Sequence, residues 1–324
     1  MKKALICGIS GQDGSYLARL LLGKENSVYG SSRDAQGSSF GNLRRLGIHD
    51  QIKLLSVNIH DFRSVLQVVS DIKPDEIYNL AGQSSVALSF EQPVETLESI
   101  ATGTLNILEA IRFLGGSIRF YNAGSSECFG STGAAPVNED TPFRPCSPYG
   151  VAKATAFWEL ANYRHAYKLH ACTGILFNHE SPLRPLRFVT GKIVAAVSRI
   201  AAGSQEKLCL GNLDIERDWG WAPEYVEAMW KMLQQSNPED FVIATGRSYK
   251  LSNFIEQAFA CAGLDWRDCV EIDPSLFRPS DLMIGRADPR RAEQKLGWKA
   301  QRDMPDVVQL MMNVALGKTS IESV

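Results

Sequence analysis

The sequence predicts an α/β chain, with a doubly wound parallel sheet covered by helices and a smaller lobe built mainly from the C-terminal part. Three observations lead there. Up to Glu180, short apolar runs alternate with stretches of helical period, and strands separated by helix-length segments must run parallel. The first apolar run ends in a glycine-rich turn that opens into a helix. Beyond Glu180 the alternation weakens and helical stretches dominate.

Lys3 to Cys7 (K-A-L-I-C) reads as a buried strand, Gly8 to Gly14 (G-I-S-G-Q-D-G) as a tight turn, and Tyr16 to Leu22 as the start of an amphipathic helix. Strand, G-x-x-G-x-x-G and helix, in that order, form a dinucleotide-binding turn. Glycine lets the backbone approach a pyrophosphate, and the helix N-terminus offers it N–H groups. The second strand, S-V-Y-G-S-S-R, ends at Arg33, followed by Asp34. An acid there would bind the ribose hydroxyls of NAD, and an arginine the phosphate of NADP. Arg33 comes first and serines precede it, so NADP is the expected cofactor.

Residues 35–50 read as a loop with a short helix, Lys53 to Asn58 as a third strand and Asp61 to Asp71 as a helix. Asp75 to Ser84 is the next strand, ending in small residues where a cofactor crosses the carboxyl ends of a sheet. Val94 to Leu114 reads as one long helix, Ile118 to Ala123 as a strand, the segment from Pro148 as a helix, and Gly174 to Asn178 as a strand. In the second half, Phe188 to Ala202 is a helix, Leu208 to Asp218 a short strand with a loop, and Ala222 to Gln235 a helix. Asp240 to Ala244 is a strand returning to the sheet. Ser252 to Ala262, Arg290 to Leu296 and Pro305 to Leu316 are helical. The division this implies is a cofactor domain of 1–178 and 219–248, with a substrate lobe of 179–218 and 249–324.

The chemistry gathers between Asn122 and Lys153. Tyr149 and Lys153 lie four apart in Y-G-V-A-K and so share a helix face. A phenol titrates near pH 10, and a neighbouring ammonium favours its phenolate. Ser125 and Glu127, in A-G-S-S-E, stand two apart at a strand end, where alternation turns both the same way. A net charge of -2 in 324 residues gives no basic stripe for nucleic acid, and no apolar run approaches a membrane span. Seven scattered cysteines without ligand spacing fit reduced thiols in the cytoplasm. Cys128 and Cys146 read as small buried hydrophobes, Trp219, Trp221 and Trp230 as packing residues, and Asn138 to Asp140 as a solvated loop. His165 and His170 have no partner pattern for a metal, so none is expected.

Together these motifs resemble the extended short-chain dehydrogenase/reductases, a Rossmann-like family. More sharply, A-G-S-S-E, S-P-Y-G-V-A-K, I-L-F-N-H-E-S-P, L-G-N-L-D-x-x-R-D-W-G and K-L-G-W resemble its GDP-mannose 4,6-dehydratase branch across essentially the whole chain. The resemblance implies catalytic roles for Ser125, Glu127, Tyr149 and Lys153. It places cofactor contacts at Gly8, Gly11, Gln12, Asp13, Gly14, Arg33, Asn58, Ile59, Leu80, Ala81, Gly82, Gln83, Ser84, His179 and Arg184, besides Tyr149 and Lys153. It places nucleotide-sugar contacts at Ser85, Ser126, Glu127, Asn178, Lys192, Gly211, Arg217 and Arg278. A GDP-sugar substrate and a homodimer or homotetramer follow from it too.

Several positions depart from the family pattern. Asp34 stands where a second basic residue is usual, and L-R-P-L-R (Leu183 to Arg187) replaces a loop that helps build a tetramer. Thr96 replaces an aromatic residue, and Ser85 a histidine. The rival readings are a dehydratase for a GDP-manno-heptose, a nucleotide-sugar epimerase or reductase, and a non-catalytic NADP-binding sensor. Glu127 favours the dehydratase, because epimerases and reductases need the Tyr/Lys pair but no carboxylate to expel water.

Overall fold

A computed structural model describes residues 1–277 and 280–323. The first half alternates as expected: β1 (Lys3–Cys7), α1 (Gln12–Gly23), β2 (Ser27–Ser32), α2 (Gly41–Arg45), β3 (Lys53–Ser56), α3 (Phe62–Ile72) and β4 (Glu76–Asn79). Then come α4 (Val86–Glu91), α5 (Pro93–Leu97), α6 (Gly103–Leu114), β5 (Arg119–Ala123), α7 (Pro148–Tyr167) and β6 (Ala171–Leu176). The second half holds β7 (Asn178–Glu180), α8 (Val189–Ala201), β8 (Leu208–Leu210), β9 (Glu216–Trp221), α9 (Ala222–Gln234) and β10 (Phe241–Ile243). It ends with β11 (Ser248–Lys250), α10 (Leu251–Ala260), β12 (Val270–Ile272), α11 (Arg290–Leu296) and α12 (Met304–Ala315).

Seven strands form one sheet in the order β10-β6-β5-β4-β1-β2-β3, and every pairing in it is parallel. Alternate residues of β1 feed opposite cores, which is why it is apolar from Ala4 to Cys7. Ala4 and Ile6 pack with Leu17 and Leu21 of α1 and Met229 of α9. Leu5 and Cys7 pack with Val65 and Val69 of α3 and Ile107 and Ile111 of α6. A further core joins α8, α10 and α12 to β8 and β9, with Trp219 and Trp221 inside it. Trp230 instead lies partly buried beneath the Lys24 ammonium, 3.6 Å from its ring centroid. Two small sheets, β11-β9-β7 and β12-β8, complete the second half.

The structure departs from the sequence reading at several places. Helix α1 starts at Gln12 rather than Tyr16, so Gly14 lies in its first turn. The segment read as one helix from Val94 to Leu114 is α5 and α6 joined through a π-helical stretch at Glu98–Thr102. The strand expected at Gly174 to Asn178 lies earlier, at Ala171–Leu176. Residues 208–218 hold β8 and the start of β9. Glu139 is no solvated loop residue. Its side chain is 4% exposed and faces Arg291, and its carboxylate accepts the Val242 N–H at 2.8 Å, tying the loop to β10.

Candidate active site

The strand order reverses beside β1, which has β2 on one side and β4 on the other. Ligands of doubly wound sheets lie at that reversal, outside the carboxyl ends of the strands. A cavity of about 530 Å³ opens there, lined by the turn from Gly8 to Gly14, the ends of β2 and β4, and residues of the 184–188 loop. Gly8 has φ +83°, and a Cβ on it would stand 2.8 Å from the backbone of Leu80 and Ala81. A Cβ on Gly14 would stand 2.5 Å from the Gly8 carbonyl oxygen. Only glycine permits both approaches. Gly11 is the N-cap of helix α1 and supplies no side-chain cap, so the first turn offers backbone N–H groups to an anion. The cavity therefore fits a dinucleotide.

Asp13 lines the cavity, and its carboxylate meets His179 Nε2 at 2.8 Å. His179 itself is buried behind it, with Nδ1 on the Phe177 carbonyl at 2.7 Å and its ring stacked on Tyr225 at 4.5 Å. Gln12 donates to the His179 carbonyl at 3.1 Å and accepts from the Ser181 hydroxyl at 2.8 Å. The glycine turn is thus bonded to β7 and the residue after it. Burial alone would depress the His179 pKa, but the charge and hydrogen bond of Asp13 outweigh it and raise it. Burial likewise pushes Asp13 up, yet His179 brings it below the usual carboxylate range.

This pair predicts a pH window for stability. The His179 share is full below its unfolded pKa and is lost as pH rises through the raised folded value. The Asp13 share is present above its unfolded pKa and is lost as pH falls through the lowered folded value. In thermal melts His179→Gln should lose roughly 3 °C or more near about pH 6, and progressively less at alkaline pH. A deficit independent of pH would assign the loss to packing on Tyr225 alone.

Arg33 lies at the far end of the cavity, 3.7 Å from Glu95. Asp34 is occupied with its own turn, where its carboxylate accepts the N–H groups of Gln36 and Gly37 at 2.9 and 2.8 Å. Ile59 and the run Leu80 to Ser84 line the cavity. Asn58 stands aside, exposed, accepting from the His60 N–H at 3.2 Å. Arg184 reaches the cavity while paired with Glu180 at 2.9 Å and stacked 3.8 Å over Phe188. Arg187, read from sequence only as part of a loop, bonds the Ser84 hydroxyl at 3.2 Å. Gln92, Glu95 and Ser99 also line the cavity. Their spacing of three and four residues marks one helix face, a signal the sequence carried. Thr96 is buried and accepts from the Gln83 amide at 3.1 Å. Ser85 caps α4, its hydroxyl accepting from Leu88 N–H at 3.3 Å.

Helix α7 positions Tyr149 and Lys153. Ser147 is its N-cap, accepting from Gly150 N–H at 3.0 Å, and Pro148 is its first residue. A Cβ on Gly150 would stand 2.7 Å from the Glu127 carbonyl oxygen, so the start of α7 is packed directly on the Ser126–Cys128 turn. The Lys153 ammonium donates to the Ala123 carbonyl at the end of β5 at 2.6 Å and lies 5.8 Å from the Tyr149 ring centroid. Burial brings the Lys153 pKa down to about 8. Burial also raises the Tyr149 pKa, and the hydrogen bond with Ser125 offsets only part of that. From the sequence, Lys153 is expected to lower it. In this arrangement desolvation of the phenolate wins, because the ammonium is turned to a carbonyl. Cys128 is buried and its thiol is pushed up to about 12, whereas Cys146, read as buried, is exposed.

Ser126, Glu127 and Arg217 line a small cavity of about 20 Å³ together with Phe177 and Arg286. Arg217 approaches Asp281 at 3.6 Å. Lys192 donates to the Cys209 carbonyl at 2.7 Å, and Gly211 packs where a Cβ would stand 3.0 Å from the Leu276 carbonyl oxygen. Asn178 pairs with Trp219 across β7 and β9. Arg278 lies outside the described residues.

Residues 5–311 match the family model described as GDP-mannose 4,6 dehydratase. GDP-mannose 4,6 dehydratase 2 of Arabidopsis thaliana is 46% identical, over 100% of this chain and 89% of its own length. GDP-mannose 4,6-dehydratase of Vibrio cholerae is 44% identical, over 92% of this chain and 89% of its own. Among solved structures, a Thermotoga maritima UDP-glucose 4-epimerase with UDP-glucose superposes with a TM-score of 0.86 at 21% identity, covering 96% of this chain and 97% of that one. A Streptomyces venezuelae dTDP-glucose 4,6-dehydratase with NAD gives 0.86 at 20% identity, covering 96% of each. These two share the fold. The family match and the full-length relatives go further: the chain belongs to the GDP-mannose 4,6-dehydratase family.

Proposed function

We propose that the protein converts GDP-mannose to GDP-4-keto-6-deoxymannose with loss of water, keeping one NADP bound throughout. The observation that carries the reading is Glu127. It stands on the turn against which the Tyr149 helix packs, so one site holds both a redox pair and a carboxylate. The cavity at the sheet reversal would hold the cofactor through the glycine turn, Leu80 to Ser84 and Arg184, with Arg33 for its ribose phosphate. The bound nicotinamide would supply the hydride chemistry, as acceptor for the hydrogen on carbon 4 of the sugar and as its donor to carbon 6.

The chain's own residues move the protons. Tyr149, bonded to Ser125, takes the carbon 4 hydroxyl proton, and Lys153 holds positive charge beside the ring. The ketone so formed acidifies the proton on carbon 5, which Glu127 removes as general base. Protonated Glu127, assisted by Ser125, then gives that proton to the carbon 6 hydroxyl, which leaves as water. As hydride returns to carbon 6, carbon 5 regains a proton, which balances the one Tyr149 took. Lys192, Arg217 and Arg278 would neutralise the diphosphate, because a buried dianion needs charged donors. Ser85, Ser126, Asn178 and Gly211 complete the proposed sugar and nucleotide contacts.

The reading includes a homodimer or homotetramer in the cytoplasm. Exposed Val94, Leu97, Val151 and Trp158 on α5 and α7 support self-association. Among the described residues no helix is long and apolar enough to cross a membrane. The test uses GDP-mannose deuterated at carbon 4. The product should be lighter than substrate by one water and carry the deuterium on carbon 6. Deuterium washed into solvent, or a product of unchanged mass, would refute the reading.

A further inference from the structure

Arg33 does not meet the cofactor cavity alone. Its guanidinium lies 3.7 Å from the Glu95 carboxylate, and both residues line the cavity. Glu95 is held firmly where it is. It stands in the first turn of α5, which begins at Pro93, and the next residue, Thr96, is buried and bonded to the Gln83 side chain. Gln92 and Ser99, on the same helix face, line the cavity with it. A second carboxylate, Glu98, and the imidazole of His60 lie close by, the ligand atoms of all three within 4.8 Å of one another. Asp34, the other acid at the end of β2, is turned to the N–H groups of Gln36 and Gly37. The acid that faces Arg33 is therefore on α5, not on β2.

We infer that Glu95 tempers the cofactor preference, by competing with the adenosine ribose phosphate of NADP for Arg33. The inference rests on the proposed NADP reading. A phosphate reaching Arg33 meets a guanidinium already shared with a carboxylate. It must displace Glu95 or sit beside it, and two like charges around one guanidinium repel. A ribose carrying only hydroxyls meets no such conflict, and Glu95 is free to accept a hydrogen bond from it. The Arg33–Glu95 pair is exposed, Arg33 at 78% and Glu95 at 42%, so a phosphate dianion can win the exchange. Glu95 thus trims the advantage of NADP without reversing it.

The test measures binding of NADPH and NADH to the full chain by fluorescence, for wild type, Glu95→Gln, Arg33→Ala and the double variant. Glu95→Gln should tighten NADPH about fivefold and leave NADH unchanged or slightly weaker. The NADPH gain should shrink as salt is raised, a response that altered helix packing would not produce. It should vanish in the Arg33→Ala background, because the competition has lost its object. If Arg33→Ala weakens NADPH selectively but Glu95→Gln changes neither cofactor, or both equally, the role of Glu95 is overturned and the NADP reading stands. If Arg33→Ala weakens both cofactors alike, the NADP reading at Arg33 fails, and the competition fails with it.

Discussion

Tyr149→Phe should lower kcat by about 10³-fold or more while leaving nucleotide-sugar affinity within a few fold. The lost hydroxyl is the group proposed to receive the carbon 4 proton, so its absence should be felt in the transition state rather than in the bound ground state. The aromatic ring is kept, and with it the packing against Ile100 and Ala152, so the variant should fold and bind cofactor normally. Burial holds the free protein's Tyr149 above the ordinary phenol range. The step must therefore draw on charge brought by the bound ligands as well as on Lys153. Turnover within tenfold of wild type would remove Tyr149 from the proton path.

Glu127→Gln should divide the reaction in two. In the proposed mechanism oxidation at carbon 4 uses Tyr149 and Lys153 but no carboxylate, so the variant should still reduce its bound nicotinamide when substrate is added. Water loss needs a base on carbon 5 and an acid at carbon 6, and a glutamine can be neither. Overall turnover should fall about 10²–10⁴-fold, with nicotinamide absorbance rising towards one equivalent per site and persisting. Normal turnover, or a fall with no accumulation of reduced cofactor, would show that elimination relies on another group.

The first half of the fold was legible for a physical reason. Strands buried on both faces need apolar side chains in their interiors, as Ala4 to Cys7 of β1, Ile77 and Tyr78 of β4, and Phe120 and Tyr121 of β5 show. Strands β11 and β12 have three residues each, too few to establish a period, and local sequence does not mark them. The start of α1 was missed because Gln12, Asp13 and Gly14 carry no apolar rhythm. That turn is fixed instead by Gly14 lying against the Gly8 carbonyl. The π stretch at Glu98–Thr102 widens one turn without breaking the helical pattern, so the sequence reads straight through it.

The site followed the same division. Ser125, Glu127, Tyr149 and Lys153 are short-range spacings visible in the sequence, and the fold brings them together where α7 packs on the end of β5 and the turn after it. What escaped were partnerships across the chain. Glu139 looks like a polar loop residue until Val242, 103 positions away, is seen donating to its carboxylate. His179 was assigned to the cofactor, yet its ring reaches the cavity only through Asp13, 166 positions earlier. Arg33 and Asp34 could be read as rivals from their order alone. That Glu95 is the acid facing Arg33 depends on how α5 lies across the end of β2.

The bond between the glycine turn and β7 makes cofactor occupancy a matter of thermodynamic linkage. Asp13 and Gln12 grip His179 and Ser181 on one side and border the dinucleotide cavity on the other. A ligand that fixes the turn therefore also fixes the first strand beyond the main sheet, and through β9 the small sheet that carries Arg217. At a free concentration a hundred times its Kd, such a ligand adds about 2.7 kcal/mol to the folded state. A dinucleotide that stays through every turnover is then a resident part of the fold, and the substrate side owes it part of its order.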